Sequence, residues 1–140
     1  MLNAPFQSNA ASPTERRTLV MVVEDEPLIR EFVCELMHEV GFETVDYATA
    51  DDAWKAFDNG LKVNLLITDV RMPGQIDGAQ LTMKVRDASP ELPIIVMSGH
   101  YTEAPEGLEG IAFMPKPWPP TALIDQAIQA TTPKGCNAAR

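Results

Sequence analysis

Cysteine, basic residues and long apolar runs are all scarce in this chain of 140 residues, and each scarcity removes a class of function. The two cysteines, Cys34 inside an apolar helical pattern and Cys136 in the C-terminal tail, match neither a metal-ligand spacing nor a disulfide framework, which points to a reducing cytoplasmic setting. Eleven Lys and Arg stand against 20 Asp and Glu, and the formal charge of −9 repels nucleic acid and anionic lipid unless the basic residues cluster. They do not, since no basic run exceeds Arg16-Arg17. No apolar stretch approaches the ~18 residues that a membrane-spanning helix needs. In the first segment the positive charges follow the few apolar residues instead of preceding them, unlike an export signal. A soluble, unsecreted protein with neither nucleic acid nor membrane as partner is expected.

What is present is enough apolar material, 45% of the residues, for one ordinary core. Residues 1–17 are rich in Ala, Ser, Asn, Thr and Pro without periodicity and read as a flexible arm, and residues 133–140 read as a flexible tail. Between them, over 18–132, short β-branched runs alternate with helical spacings. Leu19 to Val23 is an apolar run that breaks into Glu24-Asp25-Glu26-Pro27, a buried strand ending in an acidic loop. Pro27 suits a first helical position, and Leu28, Ile29, Phe32, Val33, Leu36, Met37 and Val40 follow at helical spacing until Gly41. Further strands are expected at Phe42–Tyr47, Val63–Thr68, Pro93–Met97 and Ile111–Met114, with helices from Thr49 to about Asp58, over 78–88 and from Thr121 to about Thr131. The stretch Tyr101 to Gly110 holds Pro105, Gly107 and Gly110, so a helix there is short or irregular. Strands separated by helices imply right-handed crossovers and a single doubly wound α/β domain, a parallel sheet with helices on both faces. The ligand site of such a sheet lies at the carboxyl ends of its strands.

Those ends carry Glu24 and Asp25 after the first strand, Asp69 after the third, Ser98 after the fourth and Lys116 after the fifth. Clustered carboxylates repel one another and take up protons more readily unless a cation is bound. A hard divalent ion with oxygen ligands, Mg²⁺ or Mn²⁺, relieves that repulsion. Aspartate is also an established nucleophile that forms an acyl phosphate, a chemistry served by charge neutralisation and alignment from a metal, an ammonium and a hydroxyl. Gly99 leaves room beside that group.

Four motifs, VMVVEDEP, LLITDVRMPG, IIVMSGH and FMPKPW, occur in this order on the expected elements over roughly four fifths of the chain. On these motifs the chain resembles the receiver domain of two-component response regulators. The resemblance implies a flavodoxin-like fold with strand order 2-1-3-4-5. It implies Asp69 as phosphoacceptor, Asp25 as a direct metal ligand, Glu24 as one acting through water, and Arg71 as a backbone-carbonyl ligand. It further implies Ser98 as the hydroxyl that senses the phosphoryl group, Lys116 as its ion-pair partner and Phe113 as the aromatic whose rotation reports the state. His100, two positions after that hydroxyl, is either a modulator of hydrolysis or an exposed loop histidine. The sequence departs from the family pattern in three places. Glu24 stands where Asp is frequent, the turn Met72 to Gly78 is one residue longer than usual, and the span from Ser98 to Lys116 is several residues shorter. The last departure falls in the family's common output surface. SGH and PKPW resemble receivers found alone or attached to hybrid histidine kinases.

The expected function is that of a phosphoacceptor response regulator, charged at Asp69 by a histidine kinase or a histidine phosphotransfer protein, and not a classical enzyme. With no DNA-binding segment expected after residue 132, its output is contact with a downstream protein or transfer of the phosphoryl group as a relay or sink. One alternative is a pseudo-receiver that docks without being phosphorylated, against which the intact acid, hydroxyl and lysine set argues. The other is an aspartyl-phosphate phosphatase. That chemistry needs a second acid two positions after the nucleophile, where this chain has Arg71.

Overall fold

The computed structural model describes residues 17–99, 107, 108 and 110–132. Residues 1–16 of the expected arm over 1–17, the tail over 133–140, His100 and most of the expected fourth helix lie outside the described residues. In chain order the elements are β1 (Leu19–Val23), α1 (Pro27–Glu39), β2 (Glu43–Tyr47), α2 (Ala50–Asp58), β3 (Leu65–Asp69), α3 (Gly78–Ala88), β4 (Ile94–Ser98), β5 (Ala112–Pro115) and α4 (Pro120–Thr131). All strand pairs are parallel and the sheet order is β2-β1-β3-β4-β5. This is the expected 2-1-3-4-5 arrangement. The four helices among the described residues include every expected one except that between β4 and β5.

Because both faces of the sheet are covered, the central strands read as unbroken apolar runs, and alternate residues serve opposite cores. Val20 and Val22 of β1, Leu65 and Ile67 of β3, and Ile95 and Met97 of β4 pack with Val33, Leu36 and Met37 of α1 and Leu123 and Ala127 of α4. Their neighbours Met21, Val23, Leu66, Ile94 and Val96 pack on the other face with Ala50 and Ala53 of α2 and Leu81 and Val85 of α3. The helix boundaries follow their local signals. Pro27 opens α1, the Thr49 side chain accepts from Asp52 N at 3.1 Å at the start of α2, and Asp77 with Gln80 forms a reciprocal capping box on α3.

After β1 the chain adds β2 on one side, then crosses back to lay β3 on the other. The carboxyl ends of β1 and β3 therefore flank the point where strand order reverses, and the loops leaving them diverge to opposite faces. Glu24, Asp25 and Asp69 occupy that point. The register supports it, since Val23 pairs with Thr68 and Asp69 pairs with Met97.

The return from β3 into α3 depends on Gly78. Its N–H donates to Val70 O at 2.7 Å, and a Cβ on this residue would overlap the main-chain oxygen of Asp69 and lie 2.7 Å from its carbonyl carbon. Glycine permits this approach of two main chains. Gly78→Ala is expected to push α3 off the end of β3 and to lower the unfolding free energy by about 1–3 kcal/mol or more. Urea denaturation measures the change, and a midpoint equal to that of the native protein would show that the backbone yields there at no cost.

Candidate functional site

The acidic loop is built by a strand that ends abruptly. Glu24 continues the sheet by one hydrogen bond, donating its N–H to Tyr47 O at 3.1 Å, which turns its side chain into a fully buried position. Its Oε2 accepts from Glu26 N at 3.1 Å and its Oε1 from Lys116 Nζ at 2.9 Å. Asp69, only 6% exposed, closes β3; its Oδ1 accepts from Val70 N at 2.8 Å and its Oδ2 from Lys116 Nζ at 3.3 Å. Asp25 completes the group, with one carboxylate oxygen from each of Glu24, Asp25 and Asp69 lying within 4.8 Å of the others. Among the described residues this is the cluster of acids disposed to hold a metal ion.

Lys116 reaches the acids from the far side of the sheet. Its N–H donates to Ser98 O at 2.7 Å, which extends the β4–β5 ladder and delivers the side chain to the crevice. Three carboxylates then face a single ammonium. Burial pushes the Glu24 carboxyl above the usual glutamate range, more than the hydrogen bonds from Lys116 and Glu26 offset, and the Asp69 charge adds to the rise. Burial alone would lower the Lys116 ammonium, but the hydrogen bond and charge of Glu24, with the charge of Asp69, outweigh it and hold it above its ordinary value. Both shifts have the same sense, favouring the protonated form of each group.

The remaining expected site residues stand at different distances from this group. Ser98 ends β4 fully buried, one residue beyond the Met97 that pairs with Asp69. Gly99 follows it, exposed, and a Cβ there would meet the Lys116 side chain at an ordinary 3.8 Å, so the packing of the protein does not itself demand glycine. Phe113 of β5 pairs with Val96 of β4 and is half-buried against the core that α2 and α3 cover. The Arg71 side chain is exposed and lines a surface depression with Met72, Pro73 and Asp77. His100 lies outside the described residues. Trp54 and Trp118, expected as packing residues, stack on Phe57 and Phe32 respectively.

The sequence reading missed Asp51. From the first turn of α2 its carboxylate accepts from Gln75 N at 2.9 Å and from Ile76 N at 3.2 Å, anchoring the lengthened loop between β3 and α3. A Cβ on Gly74, whose φ is 126°, would fall on that carboxylate. In the sequence Asp51 has the appearance of an ordinary acid in a helix first turn, and its partners lie 24 and 25 positions away.

Comparison with known proteins agrees with this fold. The family model described as response regulator receiver domain matches residues 20–128. The C4-dicarboxylate transport transcriptional regulatory protein DctD of Pseudomonas aeruginosa is 30% identical over 125 residues, 85% of this chain and 26% of that protein. The transcriptional regulatory protein FixJ of Bradyrhizobium diazoefficiens is 30% identical over 124 residues, 81% of this chain and 58% of that protein. The chain thus spans between about a quarter and somewhat over half the length of these curated relatives. Among solved structures, the receiver domain from the hybrid histidine kinase CckA superposes with a TM-score of 0.67 at 32% identity, covering 81% of this chain and 99% of that one. The response regulator TrrA from Thermotoga maritima, solved in complex with Mg²⁺ and BeF, gives 0.72 at 27% identity, covering 81% of this chain and 98% of that one.

Removal of the ammonium tests the charge balance directly. Lys116→Met leaves Glu24 and Asp69 facing each other without a counter-charge, and a loss of roughly 3 kcal/mol at neutral pH is expected. Because the folded-state affinity of Glu24 for a proton is raised, its ionisation costs stability as pH rises, and protonation on acidification removes that cost. The stability gap between native protein and variant is therefore expected to narrow as pH falls. Urea denaturation of both proteins across the acidic range measures it, and a constant gap would exclude Glu24 as the cause.

Proposed function

Because this chain belongs to the response regulator receiver domain family, we propose that it is a phosphoacceptor of two-component signalling in which Asp69 takes a phosphoryl group from a phosphohistidine donor. The observation that carries this reading is Lys116, held between Glu24 and Asp69 with its nitrogen 2.9 and 3.3 Å from their oxygens. In transfer, an Asp69 carboxylate oxygen bonds to phosphorus as the phosphorus–nitrogen bond of the donor breaks, and the electron pair of that bond returns to the ring nitrogen of the departing imidazole. Lys116 and the Ser98 hydroxyl stand at the strand ends where the added negative charge arrives. Phe113, one strand pairing below Met114, is the residue whose packing would register the change.

The donor set fits a hard divalent cation, since three carboxylates converge on one ammonium and the most buried of them is pushed toward its protonated form. Glu24, Asp25 and Asp69 would hold Mg²⁺ or Mn²⁺, with the main-chain carbonyl of Arg71 as a further ligand. The ion supplies neutralisation of phosphoryl oxygens. Partners on this reading are a histidine kinase or a histidine phosphotransfer protein, and a downstream protein contacted after phosphorylation. Among the described residues no helix is long and apolar enough to cross a membrane, and the reading assigns the domain, residues 18–132, to the cytoplasm.

Incubation with Mg²⁺ and a small phosphodonor, followed by intact-mass measurement, is expected to add one phosphoryl group to the native protein and none to Asp69→Asn. An unmodified native protein would sink the reading, and equal modification of the variant would sink the site. Metal affinity carries its own pH signature. The raised proton affinity of Glu24 makes protons compete with the ion at a higher pH than for an ordinary glutamate, so the Mg²⁺ dissociation constant is expected to increase as pH falls from about 8 to about 5. Tryptophan fluorescence titration follows it, and a constant value across that range would remove Glu24 from the ligand set.

A further inference from the structure

The acids Glu24, Asp25 and Glu26 follow one another at the end of β1, and Asp69 faces them across the crevice. Their mutual repulsion works to open the loop, so something behind it must hold its main chain without occupying the carboxylate oxygens that face the site. Arg30, from the second turn of α1, meets both requirements. One terminal nitrogen of its guanidinium donates to the main-chain carbonyl of Glu24 at 2.7 Å, while Nε donates to Asp46 Oδ2 at 3.0 Å. Asp46 lies on β2 opposite Val22 of β1, so the guanidinium ties the first residue of the acidic loop to the neighbouring strand. Its side chain is only 21% exposed. The planar fork makes both contacts in one orientation, which a lysine, as a point charge on a flexible stem, does not reproduce.

We propose that Arg30 is a positioning residue for the cation site, one that sets divalent-ion affinity by clamping the Glu24 carbonyl from outside the ligand shell. This rests on the metal-binding reading above. The guanidinium bonds the Glu24 main-chain carbonyl and Asp46, so it acts on the backbone that carries two of the three acids. Loss of a group that orients metal ligands typically costs about 10–100-fold in metal affinity.

The test compares Mg²⁺ dissociation constants, by calorimetry or tryptophan fluorescence, for the native protein, Arg30→Gln, Arg30→Lys and Val85→Ala. The last is a core variant on the opposite face of the sheet that lowers stability without touching the loop. Arg30→Gln is expected to raise the dissociation constant on the order of tenfold, Arg30→Lys to recover part of that loss, and Val85→Ala to leave it within about twofold. Saturating Mg²⁺ is expected to return the phosphorylation rate of Arg30→Gln to near that of the native protein. An unchanged constant in Arg30→Gln overturns the proposal while leaving the metal site intact. Equal weakening in Val85→Ala also overturns it, because the effect then follows general stability. A native protein that binds no Mg²⁺ removes the underlying reading together with the proposal.

Discussion

The ammonium of Lys116, shared between the buried Glu24 and the nearly buried Asp69, is the interaction on which the rest of the molecule is organised. Burying acids side by side is costly, and a single cation leaves the group of three carboxylates short of positive charge. The protein tolerates that imbalance at the point where the parallel sheet reverses its strand order. There the loops diverge to opposite faces and leave a crevice open to solvent. Burial, with the charge of Asp69 adding to it, raises the Glu24 carboxyl above its ordinary range.

Around this centre the scaffold supplies restraint more than additional ligands. Gly78 allows α3 to begin against the Asp69 main chain. Asp51 accepts two amides of the lengthened loop that follows Asp69, and Arg30 holds the carbonyl of Glu24. Each approaches the acidic group from a different helix, so the reactive residues stand on main chain fixed from three directions. Such preorganisation matters because misplacement by about 1 Å costs heavily in positioning-dependent chemistry.

The opposite side of the molecule is organised differently. After Gly99 the described chain resumes at Gly107 and Leu108, where Arg86 of α3 donates to the Gly107 carbonyl at 2.7 Å and Leu108 is buried in the core that Phe113 borders. This joins α3, which begins at the acidic site, to the segment that precedes β5. Gly107 and Leu108 are therefore tied to the same core face as Phe113.

Much of this was determined by sequence alone. Apolar β-branched runs interrupted by acids can only be buried strands ending at a polar rim, and the alternation with helical spacings forces parallel connections. The sequence therefore assigns Asp69, Glu24, Asp25, Ser98 and Lys116 to one rim, because a parallel sheet brings all its strand ends to the same edge. The end of β3 was off by one residue, since Asp69 is itself the last residue of the strand. Tertiary structure alone decided which groups hold that rim in place. In the sequence Gly78 closes a turn, and neither Asp51 nor Arg30 stands in any motif. Their partners are main-chain atoms of Asp69, Gln75, Ile76 and Glu24, and a main-chain atom carries no mark in the sequence. Side-chain chemistry at strand ends is written in residue types, whereas contacts to backbone depend on where the folded chain passes.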